Sequence, residues 1–121
     1  MAKVLVVDDS SLARRISRRI LEEAGHLVVE APDGLTALEK YFLEKPELVL
    51  LDITMQGMNG FDVLARLREM DPAARVVIAT ADIQSSTKAL TQADGAAGFV
   101  AKPLVATEVV QVVNAALQGD V

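Results

Sequence analysis

The sequence predicts an α/β fold in which five parallel strands, in the order 2-1-3-4-5, carry helices on both faces of a doubly wound sheet. Two observations carry this expectation. Short apolar runs alternate with longer helical patterns five times along the chain, which is the signature of β-α units. The links between them are short, so each crossover packs straight back onto the sheet with right-handed geometry.

Each element has its own justification. Val4-Leu5-Val6-Val7 is a continuous apolar run, as expected of a strand buried on both faces. Ser11 to Ala24 follows, with Leu12, Ile16 and Ile20 spaced four apart as on an amphipathic helix, and Gly25 ends it. Leu27-Val28-Val29 is a shorter strand between His26 and Glu30, which suits a sheet edge. Asp33 can cap a helix running to about Glu44, and Pro46 punctuates before the third strand, Leu48-Val49-Leu50-Leu51. Asp52 to Gly60 is a loop with two glycines, followed by a helix over Phe61 to Met70 that Asp71-Pro72 stops. Val76-Val77-Ile78-Ala79 is the fourth strand, and a weaker helix spans Ser85 to Ala93. Phe99-Val100-Ala101 is the fifth strand, Pro103 breaks the chain, and a last helix covers Thr107 to Leu117.

Composition narrows the function classes. A chain of 121 residues, 51% of them hydrophobic, is expected to form one domain over 1–121, with no output domain and no linker. A net charge of −5 argues against nucleic acid as a partner, because binding it needs a basic footprint. With no cysteine there is no disulfide framework and no thiolate chemistry. No apolar run approaches the ~18 residues of a membrane span, and no signal peptide follows Met1-Ala2-Lys3. A cytoplasmic protein without a membrane partner is expected.

In such a sheet, ligands bind beyond the carboxyl ends of the strands, at the switch point between strands 1 and 3. Strand 1 ends in Asp8-Asp9, strand 3 in Asp52, strand 4 in Thr80 and strand 5 in Lys102. Taken singly, each has an ordinary explanation: an aspartate after a strand usually makes a turn, and a lone lysine is a solvated edge charge. Together they fall on one edge with signs that suit one ligand. At ~4 Å, two like charges cost about 4 kcal/mol at an effective dielectric of about 20, so the cluster must bind a cation or protonate. Oxygen ligands without His or Cys favour Mg²⁺ or Mn²⁺. A carboxylate can attack phosphorus, while Lys102 and the Thr80 hydroxyl hold phosphoryl oxygens.

The combination Asp8-Asp9, Asp52-Ile53-Thr54-Met55 with Met58 and Gly60, Thr80-Ala81 and Lys102-Pro103 resembles the receiver domain of response regulators. The nearest architecture is the single-domain, chemotaxis-type (CheY-like, flavodoxin-like fold) receiver. The resemblance implies a signalling switch of a two-component system with no turnover of an external substrate. It catalyses only its own phosphorylation and slow dephosphorylation. Asp52 is then the phosphoacceptor. Asp9, Asp52 and the backbone carbonyl of Thr54 bind Mg²⁺, with Asp8 assisting through water. Lys102 and Thr80 hold the phosphoryl group; Thr80, Ala81 and Phe99 form the switch. Thr54 and Asp82 set the dephosphorylation rate, and Lys102-Pro103 matches a peptide that is often cis in the family. One departure is Gln56, where the family commonly has proline.

The resemblance also suggests partners. Arg14, Arg15, Arg18 and Arg19, expected on the outer side of the first helix above Glu22 and Glu23, suit docking of a histidine kinase or histidine phosphotransfer domain. On the last helix, Val109, Val112, Val113 and Ala116 form a stripe that should face the core, while Val110 and Leu117 lie off it. With the preceding helix and strand 5 they leave a low-charge face for a downstream protein target or a self-dimer. Three alternatives stay open: an aspartate-nucleophile phosphohydrolase, for which the chain has no room for a cap; an FMN carrier, against which Asp8-Asp9 would repel the flavin phosphate; and an adaptor that is never phosphorylated.

Overall fold

The computed structural model describes residues 1–55, 59–81 and 96–119. In chain order the elements are β1 (Lys3–Val7), α1 (Ser11–Glu23), β2 (Leu27–Ala31), α2 (Gly34–Glu44), β3 (Leu48–Asp52), α3 (Gly60–Met70), β4 (Val76–Thr80), β5 (Gly98–Ala101) and α4 (Ala106–Gln118). The expected helix at Ser85 to Ala93, and with it Gln56, Met58 and Asp82, lies outside the described residues.

The five strands form one parallel sheet in the order β2-β1-β3-β4-β5, with β2 at an edge as its short run suggested. Successive side chains point to opposite faces, so the continuous apolar runs split into two cores. Leu5, Val7, Val49, Leu51 and Ile78 face α2 and α3, meeting Ala37, Val63, Leu64 and Leu67. Val4, Val6, Leu48, Leu50, Val77 and Val100 face the other way, meeting Leu21 of α1 and Val109, Val113 and Ala116 of α4. Each apolar run thereby serves both faces.

The helix termini follow local chemistry. The Asp33 carboxylate accepts from the Thr36 N–H at 2.8 Å and caps α2. Two further caps, Ser10 for α1 and Asn59 for α3, were passed over in the sequence reading. Both follow the same rule, a short polar side chain just before a helical pattern. The buried His26 ties the start of β1 to α4: its Nδ1 accepts from the Ala2 N–H at 3.2 Å, which leaves Nε2 as the donor to Asn114 Oδ1 at 3.3 Å.

Three surface expectations need correction. Spacing of four sweeps about 40° per step around a helix, so Leu12, Ile16 and Ile20 do not share one buried line. Ser17 and Leu21 are buried, Ile20 packs at the core margin, and Leu12 and Ile16 are exposed. Arg14 and Arg18 do not stand on the outer side with Arg15 and Arg19. They turn toward β2 and clamp Glu30, at 3.0 and 2.6 Å. The (i, i+4) pairs Arg18–Glu22 and Arg19–Glu23 do form, at 2.8 and 3.4 Å. On α4, Leu117 packs against the core with Val112 and is not left as open surface. The orientation of α1 sets a test. Leu21→Ala should cost about 2–4 kcal/mol in urea denaturation, whereas Leu12→Ala should stay within about 0.5 kcal/mol; equal losses would contradict this rotation of the helix.

Candidate functional site

Parallel strands put all their carboxyl ends on one edge, and register does the rest. Val7 pairs with Leu51, Asp52 with Ala79, and Thr80 with Ala101. Asp8 and Asp52 are therefore level along the strand direction, with Thr80 one residue and Lys102 two residues further on. The ladder continues past β1, where the Asp8 N–H donates to the Ala31 carbonyl at 3.2 Å, and into Lys102, whose N–H donates to the Thr80 carbonyl at 3.0 Å.

The structure brings Asp8, Asp9 and Asp52 together: one carboxylate oxygen from each lies within 4.8 Å of the others. Asp8 and Asp52 are buried, whereas Asp9 is exposed at the rim. Lys102 Nζ reaches between the two buried carboxylates, 2.9 Å from Asp8 Oδ2 and 3.4 Å from Asp52 Oδ2. Backbone donors take the remaining oxygens. The Ser10 N–H donates to Asp8 Oδ1 at 3.0 Å, and the Thr54 N–H donates to Asp52 Oδ1 at 3.1 Å.

Burial pushes the Asp52 carboxyl above the ordinary aspartate range, against the Thr54 N–H; the neighbouring Asp8 charge adds to the rise, and Lys102 opposes it. Burial works against the Lys102 ammonium too, but its hydrogen bond to Asp8 and the Asp52 and Asp8 charges outweigh that and raise its pKa. The lysine is therefore a permanent cation serving both carboxylates. One ammonium against three carboxylates leaves the pocket about two charges negative. All donors are hard oxygens with an open side at exposed Asp9, a set that fits Mg²⁺ or Mn²⁺.

The loop after Asp52 is held by a close backbone approach. At Gly60, the first residue of α3, a Cβ would lie 2.5 Å from Ile53 Cα and 2.9 Å from the Asp52 carbonyl oxygen. Only glycine lets the helix start this near the strand end. The Gly60 N–H donates to the Ile53 carbonyl at 3.3 Å. Of the other anticipated residues, Thr80 is buried at the end of β4 and Ala81 is exposed beside it. Phe99 is half-buried against the α2–α3 core, Thr54 is exposed, and the Lys102–Pro103 peptide is cis. Asp82 lies outside the described residues.

A parallel 2-1-3-4-5 sheet with an acidic trio and a lysine at its carboxyl edge defines a receiver-type signalling module, and the comparisons agree. Residues 4–114 match the family model of the response regulator receiver domain. The chain belongs to that family. It is 36% identical over 113 residues to the chemotaxis protein CheY of Thermotoga maritima, covering 93% of this chain and 94% of that one. Identity to protein CcdB of Bacillus subtilis is 39% over 115 residues, covering 94% and 96%. The solved chemotaxis protein CheY4 of Vibrio cholerae matches with a TM-score of 0.87 at 29% identity, covering 94% of this chain and 97% of that one. The chain is thus a CheY-like receiver of the two-component response-regulator class. Among the described residues, no helix is long and apolar enough to cross a membrane.

The charge balance predicts how Asp52→Asn changes stability without metal. Because the folded-state pKa of Asp52 is raised, its ionised form costs stability above that pKa, and the cost is relieved as pH falls through it. Asp52→Asn should therefore stabilise the metal-free protein at neutral pH by about 1 kcal/mol, a fraction of the ~3 kcal/mol repulsion of two like charges at this spacing. The gain should vanish in acid, where aspartate is protonated in both states. Denaturant melts across pH in the presence of EDTA would show it, and a destabilised Asn variant at neutral pH would refute the account.

Proposed function

We propose that this receiver is a phosphorylation-dependent switch that takes a phosphoryl group onto Asp52 and changes its affinity for a protein target. The observation that carries the reading is Lys102 bridging the buried carboxylates of Asp8 and Asp52 in a pocket that remains anionic. Such a pocket is costly as a purely structural device, but suits a site where a cation and a phosphoryl group arrive together.

Asp52, Asp9 and the Thr54 carbonyl would hold Mg²⁺, with Asp8 assisting through water. When bound, the ion offsets the negative charge of the carboxylates and the phosphoryl oxygens. Asp52 Oδ attacks phosphorus, the P–N bond of a phosphohistidine donor breaks, and the imidazole nitrogen leaves with the electron pair and takes a proton. The product is an acyl phosphate. Lys102 then exchanges its contact with Asp52 for a phosphoryl oxygen, and the Thr80 hydroxyl at the end of β4 donates to another. Drawing Thr80 inward frees the space beside Ala81 into which the half-buried Phe99 turns. A phosphoryl group shifts the switch only by contacts that differ between its two states, so Thr80 and Lys102 carry the coupling. The chemistry is confined to the protein's own aspartate, with no turnover of an external substrate.

For the donor, a histidine kinase or phosphotransfer domain, α1 offers the exposed Ile16 beside Pro103 and the exposed Leu12, with Arg15 and Arg19 exposed on the same helix. The downstream target, or a second copy, would use β5 and α4 together with the 85–93 segment.

Acetyl phosphate should label the protein only with Mg²⁺ or Mn²⁺ present, and Asp52→Asn should abolish the label; undiminished labelling of that variant would remove Asp52 as the acceptor. Thr80→Ala should still be labelled but should lose the phosphorylation-dependent gain in target binding. The exposed Thr54 leaves the approach of water open, so Thr54→Arg should slow loss of radiolabel about tenfold or more. Decay at the parent rate would show that this side chain does not control the water.

A further inference from the structure

Arg14 was expected on the solvent side of α1, but its guanidinium is mostly buried and faces the acidic loop. Nη1 donates to the backbone carbonyl of Asp8 at 2.8 Å, and Nε donates to Glu30 Oε1 at 3.0 Å. The carbonyl belongs to the peptide that joins Asp8 to Asp9, so one guanidinium holds the plane from which both carboxylates project. Glu30 is itself anchored. Its other oxygen accepts from Arg18 Nε at 2.6 Å, and its backbone carbonyl accepts from Lys40 Nζ at 2.8 Å. Arg18 is fixed in turn by Glu22 at 2.8 Å and by the Val28 carbonyl at 3.3 Å. The hydrogen bonds from Arg18, then from Arg14, hold the Glu30 carboxyl below its ordinary range, so the anchor stays ionised.

We infer that Arg14 is a positioning residue of the cation site, in which Glu30 aims its guanidinium at the Asp8–Asp9 peptide and so sets the direction of the two carboxylates. This rests on the reading of Asp8, Asp9 and Asp52 as that site. A planar fork with two separated donors can bridge Glu30 and the Asp8 carbonyl at once, whereas the ammonium of a lysine is a single point. The alternative is that Arg14 acts through charge alone. The two roles differ in sign. As a cation beside an anionic pocket, Arg14 opposes metal binding, so its removal should tighten binding if charge dominates. If positioning dominates, its removal should weaken binding.

The test is Mn²⁺ binding to the purified, unphosphorylated full chain, followed by the electron paramagnetic resonance signal of free Mn²⁺. Arg14→Met should raise the Kd about tenfold, the scale on which residues that orient metal ligands act. Arg14→Lys should fail to restore it although it restores the charge. Glu30→Asp, which keeps the charge but draws the carboxylate back from Arg14, should weaken binding in the same direction, and it carries the test if Arg14→Met does not fold. Arg15→Met is the control: it removes the same charge from the neighbouring exposed position and should leave the Kd unchanged or lower. Binding in Arg14→Met as tight as in the parent or tighter, with Asp9→Asn abolishing binding, would overturn the positioning role and leave the metal site standing. Unchanged binding in Asp9→Asn as well would overturn both.

Discussion

Everything at the working edge of this molecule follows from the contact of Lys102 with Asp8 and Asp52. Three carboxylates within 4.8 Å of one another would not otherwise be held in a partly buried pocket. The lysine makes that arrangement tolerable without making it neutral. A second lysine would halve the remaining charge, and a cation would then have less reason to bind. With Lys102 absent, Asp52 would be driven further toward protonation by burial and by Asp8, and a protonated carboxyl is a poor nucleophile. The observed balance keeps Asp52 ionisable and the pocket anionic. Under the proposed function, it also holds the Lys102 ammonium at a place from which it would turn to phosphoryl oxygens.

The sheet makes this contact available. Lys102 follows β5 and Asp8 follows β1, and in strand order two strands, β3 and β4, separate them. A salt bridge spans that distance because Asp52 and Thr80 lie at the ends of the intervening strands and the lysine side chain reaches across them. Gly60 supports the pocket from the strand side, letting α3 begin against the backbone of Asp52 and Ile53. The acidic pocket is therefore supported by backbone proximity on one side and by side-chain charge on the other.

The sequence made the architecture and the inner set of residues legible, and the reason is physical. Apolar runs such as Val4–Val7 and Leu48–Leu51 are buried on both faces, and a strand end is visible wherever such a run meets a charge. Asp8, Asp9, Asp52 and Lys102 mark those junctions, and Thr80 ends β4 with a hydroxyl, so the sequence places all five at one edge. The supporting groups were less legible. Ser10 and Asn59 had a signal, a short polar residue ahead of a helix. Gly60 was visible only as part of a motif, because its reason is an approach of two backbones far apart in local structure. Arg14 had no local signal. Next to Arg15, Arg18 and Arg19 it reads as one of four similar surface charges, and only the position of β2 and Glu30 separates those that turn in from those that stay out.

That separation also explains why two large apolar side chains of α1 are left in water. A helix with Arg14 and Arg18 committed to Glu30 has its rotation set by those pairs on one flank and by Leu21 beneath. Leu12 and Ile16 are then carried outward, Ile16 to the place where Lys102 and Pro103 emerge. Burying them would require a turn of the helix that drags Arg14 off the Asp8 carbonyl. Exposing apolar area of this size costs on the order of 1–2 kcal/mol per side chain, and the two ion pairs alone, partly solvated, would not repay it. The orientation makes sense if the same rotation serves two ends: it holds the Asp8–Asp9 peptide in place, and, under the proposed function, it leaves apolar surface on α1 for the phosphoryl donor that would approach Asp52.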